Sequence, residues 1–286
     1  MPIVTLKEIL APAQEKNYGV AAFDTIDFAL TEGIIEAAEQ TGKPLILMFG
    51  GMSFGRPDTE PFMTFTLERI KKCPVPICFH LDHGQSVEEC FKAIHLGASS
   101  VMFDGSKLPI EENIAKTREV VRVAHSCDVS VEAEIGHVGA AEGNTDENTA
   151  KEDMYTNPED AVMFVKETGI DALAIAFGTV HGVYKGDPKL DFERLKKIRT
   201  MVDVPLVMHG GSGLPASDFK KAIECGISKI NFFTGMSRHV ISETRKLIEE
   251  TDGKFRHIKF WDTQLQAVIE CAKEQLELFG TMSIYP

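Results

Sequence analysis

Three histidines in the sequence each follow a strand-like segment and lie close to glycine. They occur in His80-Leu-Asp-His83-Gly, in Gly178-Thr-Val-His181-Gly and in His209-Gly-Gly-Ser-Gly213. Three His side chains with an open fourth position form a catalytic zinc arrangement, in which the ion polarises or activates a bound oxygen. One histidine at a strand end is more often a structural residue, but three at equivalent positions favour a metal site. Four further histidines lie in helical segments and are interpreted as structural: His95, His125, His239 and His257.

Carboxylates accompany these histidines. Asp82 shares a strand face with His80, and the turn after Asp82 frees His83. Asp104 ends another apolar run, and Glu132 and Glu134 lie two residues apart on the next one. A carboxylate in an apolar context is costly unless it is paired or binds a cation. At least one of the two glutamates should therefore point into the interior, either toward a cation or as a hydrogen-bond partner that orients a histidine ligand.

Two glycine-rich turns follow the last two strand-like segments. They are Gly210-Gly-Ser-Gly213 and Asn231-Phe-Phe-Thr-Gly235. Backbone N–H groups in such turns, together with a helix N-terminus, bind phosphate in many α/β barrels. One such turn is weak support, but two on neighbouring strands predict a phosphate site.

The elements that must position these residues alternate along the chain. Strand-like runs cover residues 19–23, 44–49, 76–82, 99–104, 130–135, 172–177, 204–209 and 229–233. Helical periodicity covers residues 30–39, 87–96, 111–125, 158–168, 191–201, 216–224 and 236–249. Strict alternation predicts a parallel sheet with right-handed crossovers, and eight units close a barrel. We therefore predict an α/β fold, a (β/α)₈ TIM barrel.

The sequence also indicates how the rest of the chain is organised. An open doubly wound sheet is the alternative, but no GxGxxG motif follows the first strand. No linker rich in Pro, Gly or Ser interrupts residues 1–286, so a single domain is expected. Residues 255–279 predict an additional C-terminal helix, which would cover the bottom of the barrel, reach over its mouth or pack on a partner subunit.

Composition limits the class of protein. The 286 residues are 43% hydrophobic and 26% charged, with a net charge of -13. A surplus of acidic groups argues against a general nucleic-acid binder. Neither a membrane span nor a signal peptide is evident, and the six cysteines form no CxxC pair. A reduced, cytoplasmic enzyme is therefore expected.

The ordered motifs resemble those of a known family. His80-Leu-Asp-His83-Gly, Val131-Glu-Ala-Glu134-Ile-Gly, Gly178-Thr-Val-His181-Gly, His209-Gly-Gly-Ser212-Gly and Lys229-Ile-Asn231 resemble the class II, zinc-dependent ketose-bisphosphate aldolases. The resemblance covers nearly the whole chain and looks closest to the fructose/tagatose-bisphosphate branch. It implies a lyase that cleaves a phosphorylated ketose to dihydroxyacetone phosphate and an aldehyde. It also suggests a homodimer or homotetramer without nucleic-acid or membrane partners.

The resemblance implies a metal centre. His83, His181 and His209 would hold one catalytic Zn²⁺. Asp104 and Glu134 would line an alternative or second divalent position.

It also implies roles in proton transfer and phosphate binding. Asp82 would exchange a proton with the hydroxyl at the aldol bond, and Glu142, in the loop 139–148, would move the carbon-bound proton. The ketose-side phosphate would bind at Gly182, Gly210, Gly211, Ser212, Asn231, Phe232, Phe233 and Thr234.

The sequence departs from the family pattern around the substrate. Asp24 stands where Asn is common, Gly50 and the residue after it where a Ser is common, and Phe233 where a small or acidic residue is common. Glu142 is followed by Gly rather than Asp, and Arg256 stands in a drifted context for an arginine that would reach a second phosphate across subunits.

These departures leave other functions open. The barrel could act on a different ketose, including a deoxy-ketonate phosphate, or serve as a metal-binding protein without catalysis. A Schiff-base aldolase is a third hypothesis, but Lys229 is predicted at the start of its strand and Lys185 in a loop.

Overall fold

The computed structural model describes residues 3–50, 54, 56–140, 154–182, 184 and 189–284. Its strands are Val20–Asp24 (β1), Leu45–Gly50 (β2), Ile77–Gly84 (β3), Ser100–Phe103 (β4), Ser130–Ile135 (β5), Gly139–Ala140 (β6), Ala172–Ile175 (β7), Val180–His181 (β8), Leu206–Met208 (β9) and Ile227–Asn231 (β10). Its helices are Leu6–Lys16 (α1), Phe28–Thr41 (α2), Thr59–Lys72 (α3), Val87–His95 (α4), Ile110–Ser126 (α5), Pro158–Thr168 (α6), Phe192–Met201 (α7), Ala216–Glu224 (α8), Thr234–Thr251 (α9) and His257–Leu278 (α10).

Eight parallel strands form a closed barrel in the order β1-β10-β9-β7-β5-β4-β3-β2. The ring closes where β1 pairs with β10, with Ala21 opposite Ile230. Closure of the ring excludes an open doubly wound sheet and confirms the predicted TIM barrel. Each predicted strand overlaps a barrel strand, which shows how strongly period-two burial and βα alternation specify this fold.

Strand side chains alternate between the barrel interior and the surrounding helices. An apolar shell between strands and helices includes Phe23, Phe49 and Phe79. A separate apolar cluster, here called the lower interior, contains these strand residues: Val20, Ala22, Ile46, Met48, Cys78, Ala172, Ala174 and Val207. Toward the carboxyl ends of the strands the interior becomes ionisable, and this polar interior contains Asp24, His80, Asp82, Glu132, Glu134, His209, Lys229 and Asn231.

Helix α1, which lies outside the predicted helices, closes the lower end of the barrel. Thr5 caps the helix, since its side chain accepts from the N–H of Glu8 while the Glu8 carboxylate accepts from the N–H of Thr5. Leu6 and Leu10 are buried in the lower interior cluster. The helix contacts β1, β3, β5 and β10, so it covers one mouth of the barrel. The candidate functional residues therefore lie at the other mouth.

The predicted C-terminal helix exists as α10, but it lies on the outside of the barrel. It packs mainly against α2 and α9 rather than across either mouth. Helix α3, between β2 and β3, was also outside the predicted set. Among the described helices, none has the length and apolar character needed to cross a lipid bilayer.

Candidate active site

His83 reaches the mouth through an irregularity in β3. The strand continues to Gly84 rather than ending at residue 82, and its pairing with β4 shifts register between Leu81 and Gly84. His83 has a positive φ of 48°, which turns its side chain out of the regular alternation. The imidazole then lies with Nδ1 2.8 Å from Asp104 Oδ2 and with Nε2 2.8 Å from His209 Nδ1.

His209 follows β9 directly and is fully buried. Its Nε2 lies 2.8 Å from Glu132 Oε1, which leaves Nδ1 toward His83. The next residue, Gly210, has a φ of +71°, and a Cβ there would collide with the carbonyl of Val180. This close approach holds the segment that carries His181 against the segment that carries His209.

His181 comes from a short ladder above the barrel. Strands β6 and β8 pair in parallel, with Ala140 opposite His181. The ring centroid of His181 lies 5.0 Å from that of His83 and 5.8 Å from that of His209. The three predicted ligands therefore converge, and one nitrogen from each lies within 4.8 Å of the others.

This donor set fits a divalent metal. Three imidazoles with an open position suit zinc, and ligation requires the neutral ring. Burial, followed by the charge of His83, lowers the pKa of His181 to about 4. Burial lowers the pKa of His209 well below its usual value. Burial also acts to lower the pKa of His83, but Asp82 and Asp104 outweigh it and raise that pKa to about 10, so a metal would compete with a proton there.

A second group of donors shares His83 with the first. His83, Asp104 and Glu134 also offer ligand atoms within 4.8 Å of one another. Glu134 Oε1 accepts from the N–H of Val138 at 3.2 Å, while Oε2 has no hydrogen-bond partner among the described residues. Burial, followed by the charge of Asp104, raises the pKa of Glu134 to about 8. Burial acts to raise the pKa of Asp104, but hydrogen bonds from His83 and Ser106 keep it well below its usual value.

Asp82 lies beside the three converging histidines and accepts a hydrogen bond from Asn231. The amide Nδ2 of Asn231 donates to Asp82 Oδ1 at 2.9 Å and lies 3.4 Å from His209 Nδ1. Asn231 Oδ1 has no partner among the described groups. A residue predicted for the phosphate site thus also orients the predicted acid/base.

The two glycine-rich turns meet at the start of α9. Ser212 Oγ accepts from the N–H of Gly235 at 3.0 Å, which joins the turn after β9 to the turn after β10. Gly182 and Gly210 have positive φ values of 87° and 71°. The N-cap residue Phe233 makes no side-chain capping bond, so Ser212 accounts for only one of the N–H groups in the first turn of α9, a place where an anion can bind.

Phe232 and Phe233 contribute their side chains to apolar packing. Phe232 is buried and makes an edge contact with Phe23, with 6.5 Å between ring centroids. Phe233 packs against the apolar shell, and Thr234 is the first residue of α9. Any contact of this turn with a phosphate would therefore use its backbone N–H groups or the Thr234 hydroxyl.

Two of the departures from the family pattern, Asp24 and Gly50, lie at the carboxyl ends of β1 and β2. Asp24 ends β1, and burial followed by the charge of Asp82 raises its pKa to about 8. A Cβ placed on Gly50, the last residue of β2, would meet no atom within 4 Å among the described residues, which do not include residues 51–53. Arg256 is exposed at the start of α10. Glu142 and Lys185 lie outside the described residues.

Two groups at the site make contacts that the sequence motifs did not predict. Tyr184 accepts from the N–H of Val180 at 3.1 Å and donates to the carbonyl of Gly210 at 2.8 Å. Lys229 was predicted at the start of its strand, but β10 begins at Ile227, and Lys229 is fully buried with Nζ 2.8 Å from Glu132 Oε2. The signal available in the sequence for Lys229 was a lysine within a strand that leads to the functional mouth.

Comparison with known proteins supports one family. A family model described as "Fructose-bisphosphate aldolase class-II" matches residues 4–283. A probable fructose-bisphosphate aldolase from Bacillus subtilis is 39% identical over 98% of this chain and 99% of that protein. A fructose-bisphosphate aldolase from Staphylococcus aureus is 38% identical over 98% of each chain. The crystal structure of the YdjI aldolase from Escherichia coli K12 superposes with a TM-score of 0.86 at 35% identity, covering 98% of both chains.

The chain belongs to the class II fructose-bisphosphate aldolase family. It is accordingly an aldolase, a carbon–carbon lyase that acts on a phosphorylated ketose. Class II aldolases are generally metal-dependent, and the converging histidines provide a place for the ion.

Proposed function

We propose that the protein is a zinc-dependent aldolase that reversibly cleaves a fructose- or tagatose-bisphosphate type of ketose to dihydroxyacetone phosphate and an aldehyde. The observation that carries the proposal is the convergence of His83, His181 and His209 at the carboxyl ends of the strands. These three residues would hold Zn²⁺, with the Asp104 and Glu134 group as the second divalent position. When bound, the ion supplies Lewis acidity that stabilises the negative charge developing as the carbon–carbon bond breaks.

Asp82 is assigned the proton transfer at the hydroxyl. In the cleavage direction it takes the proton of the hydroxyl at the aldol bond, and in the synthetic direction it returns it. The hydrogen bond from Asn231 fixes one carboxylate oxygen and so limits the orientations available to Asp82. Glu142 is assigned the carbon-bound proton on the basis of the family resemblance alone.

The ketose-side phosphate is assigned to the joined turns. Gly182, Gly210, Gly211 and Ser212 would supply one side, and the turn from Asn231 to Thr234 the other. The Ser212–Gly235 hydrogen bond and the lack of a capping side chain on Phe233, the N-cap residue of α9, support this assignment. A local site of this kind is needed because the chain as a whole carries a net charge of -13.

The first experiment measures deuterium exchange into dihydroxyacetone phosphate by NMR, using full-length protein in D₂O. We expect exchange that EDTA abolishes and Zn²⁺ restores, because removal of the carbon-bound proton requires charge stabilisation. Absence of exchange from zinc-loaded protein would overturn the proposal and favour either action on a different ketose or a non-catalytic binding protein.

Borohydride treatment in the presence of substrate tests the Schiff-base alternative. Trapping of a covalent adduct at a lysine would support that mechanism, since only an imine is reduced to a stable bond. The ion pair of Lys229 with Glu132 argues against a free amine at that position. We therefore expect no adduct.

A further inference from the structure

A fully buried polar network lies directly beneath the candidate metal ligands. Glu132, Lys229, His80 and His209 have no solvent-accessible side-chain surface. Glu132 is at the centre. Its Oε1 lies 2.8 Å from His209 Nε2, and its Oε2 lies 2.8 Å from Lys229 Nζ and 3.6 Å from His80 Nε2.

Fold stability alone does not require these charges. Enclosing a carboxylate and an ammonium costs desolvation energy that their attraction often only offsets, and apolar replacements of similar volume are frequently tolerated. On neighbouring strands, Ala172 pairs with Glu132 and Val20 pairs with Lys229, and both are apolar. The network therefore invites an explanation in the chemistry above it.

The geometry at His209 supplies one. Each histidine ligand must present a lone pair to a metal while its second nitrogen donates a hydrogen bond that fixes the tautomer and the ring angle. Glu132 accepts at Nε2, which leaves Nδ1 as the free nitrogen, and Nδ1 is the atom that faces His83. Lys229 forms an ion pair with the other oxygen of Glu132. This ion pair limits the orientation of the carboxylate, which in turn orients the His209 ring.

We propose that Glu132 and Lys229 are positioning residues for the metal ligand His209. This inference rests on the proposed function, in which the three histidines hold Zn²⁺. Asp104 has a similar relation to His83, but Asp104 is itself one of the candidate ligands. Glu132 is absent from both candidate donor groups, so its effect on the metal would be exerted through His209.

The test measures Zn²⁺ affinity of the full-length protein by chelator competition, with the Co²⁺ absorption spectrum as a reading of ligand geometry. Glu132→Gln should weaken Zn²⁺ binding by roughly 10–100-fold, the usual effect of losing such a partner. Lys229→Met should weaken it in the same direction. The combined variant Glu132→Leu/Lys229→Met removes both charges, and we expect it to fold while its Zn²⁺ affinity falls and its Co²⁺ spectrum changes.

Arg69→Met is the matched control. Arg69 pairs at 2.8 Å with Glu32 and Glu39, two carboxylates of α2, away from the metal ligands. Its loss should lower stability and leave Zn²⁺ affinity within about twofold, since remote sites act independently. A purely structural role for the network would give the Glu132 and Lys229 variants this same pattern, and that result would overturn the inference.

His181→Ala distinguishes failure of the inference from failure of the proposed function. If His181→Ala retains full Zn²⁺ affinity, the histidine site itself is wrong and both proposals fall. If His181→Ala loses the metal while Glu132→Gln and the double variant bind it as the wild type does, only the positioning role is refuted.

Discussion

The two halves of the barrel interior are built on the same strand faces but differ in chemistry. The lower interior is apolar, is sealed by α1, and contains residues such as Val20, Ile46 and Val207. The polar interior, farther along the same strands, is crowded with ionisable groups that are paired with polar or charged partners, as Asp82 is with the Asn231 amide and Glu132 with Lys229. Apolar burial stabilises the first half without specific geometry, whereas the second half is stable only if each charge finds a partner.

Several atoms in the polar interior have no hydrogen-bond partner among the described residues, and those of Glu132, Lys229 and His80 make ion-pair contacts instead. Glu134 Oε2 and Asn231 Oδ1 are buried and accept no hydrogen bond. Buried polar atoms without partners are costly, and they concentrate where a ligand or an ion supplies the missing contact. The difference between the two halves is therefore a division between the part that stabilises the barrel and the part reserved for chemistry.

Removing the Asp82 carboxylate is the substitution with the largest expected effect. It tests whether the polar interior can be altered separately from the lower interior. Asp82→Ala is expected to reduce ketose cleavage by roughly 10²–10⁴-fold, the range for loss of a general acid or base. Deuterium exchange into dihydroxyacetone phosphate should persist, because that step is assigned to a different carboxylate. Steady-state kinetics and NMR exchange on the same preparation measure the two effects. An unchanged cleavage rate would contradict the role of Asp82.

A substitution in the lower interior should instead lower stability and leave metal binding and catalysis close to those of the wild type. Leu10→Ala removes a fully buried side chain of α1 and should lower the free energy of unfolding by about 2–5 kcal/mol. Zn²⁺ affinity and kcat should stay close to those of the wild type. Urea denaturation measures the stability, and Ile258→Ala, at a position 61% exposed, is the control with little expected change. A Leu10 variant of normal stability but impaired metal binding would show that the halves are not separable.

A change of stability with pH is expected at Asp24. Its pKa is raised to about 8 in the folded protein by burial and by Asp82. The unfolded chain releases this proton near its ordinary value, so the wild type loses stability as the pH rises from about 4 to about 8, by about 1.4 kcal/mol per pH unit.

Asp24→Asn removes this dependence. The metal-free variant should match the wild type at about pH 4 and exceed its stability near pH 8. Urea denaturation in EDTA across this interval provides the measurement. Parallel stability curves for the two proteins would mean that Asp24 is ionised in the folded state.

Sequence patterns predicted the barrel and its mouth because both depend on local signals. Period-two burial marks each strand, and the βα order requires the carboxyl ends to meet, so His83, His181 and His209 could be assigned to one region. The closing helix α1 was missed, although its Thr5–Glu8 capping box is visible in the sequence.

The pairing of Lys229 with Glu132 was not accessible in the same way. Their contact joins β10 to β5 across the barrel interior, and it depends on strand tilt and register, which no local sequence pattern specifies. The same applies to Tyr184, which lies outside the described strands and helices and whose hydroxyl bridges Val180 and Gly210. Sequence signals thus located the candidate ligands, whereas the contacts of Glu132, Lys229 and Tyr184 required the folded structure.

Gly210 shows what such packing means for the evolution of the site. Its backbone touches the carbonyl of Val180, the residue immediately before His181, and its φ of +71° suits few side chains. The spacing between the imidazoles of His181 and His209 therefore depends on the absence of a Cβ at Gly210, in the turn after β9. A glycine-to-alanine change, harmless in many surface loops, would here act as a mutation of the metal site although it alters no ligand.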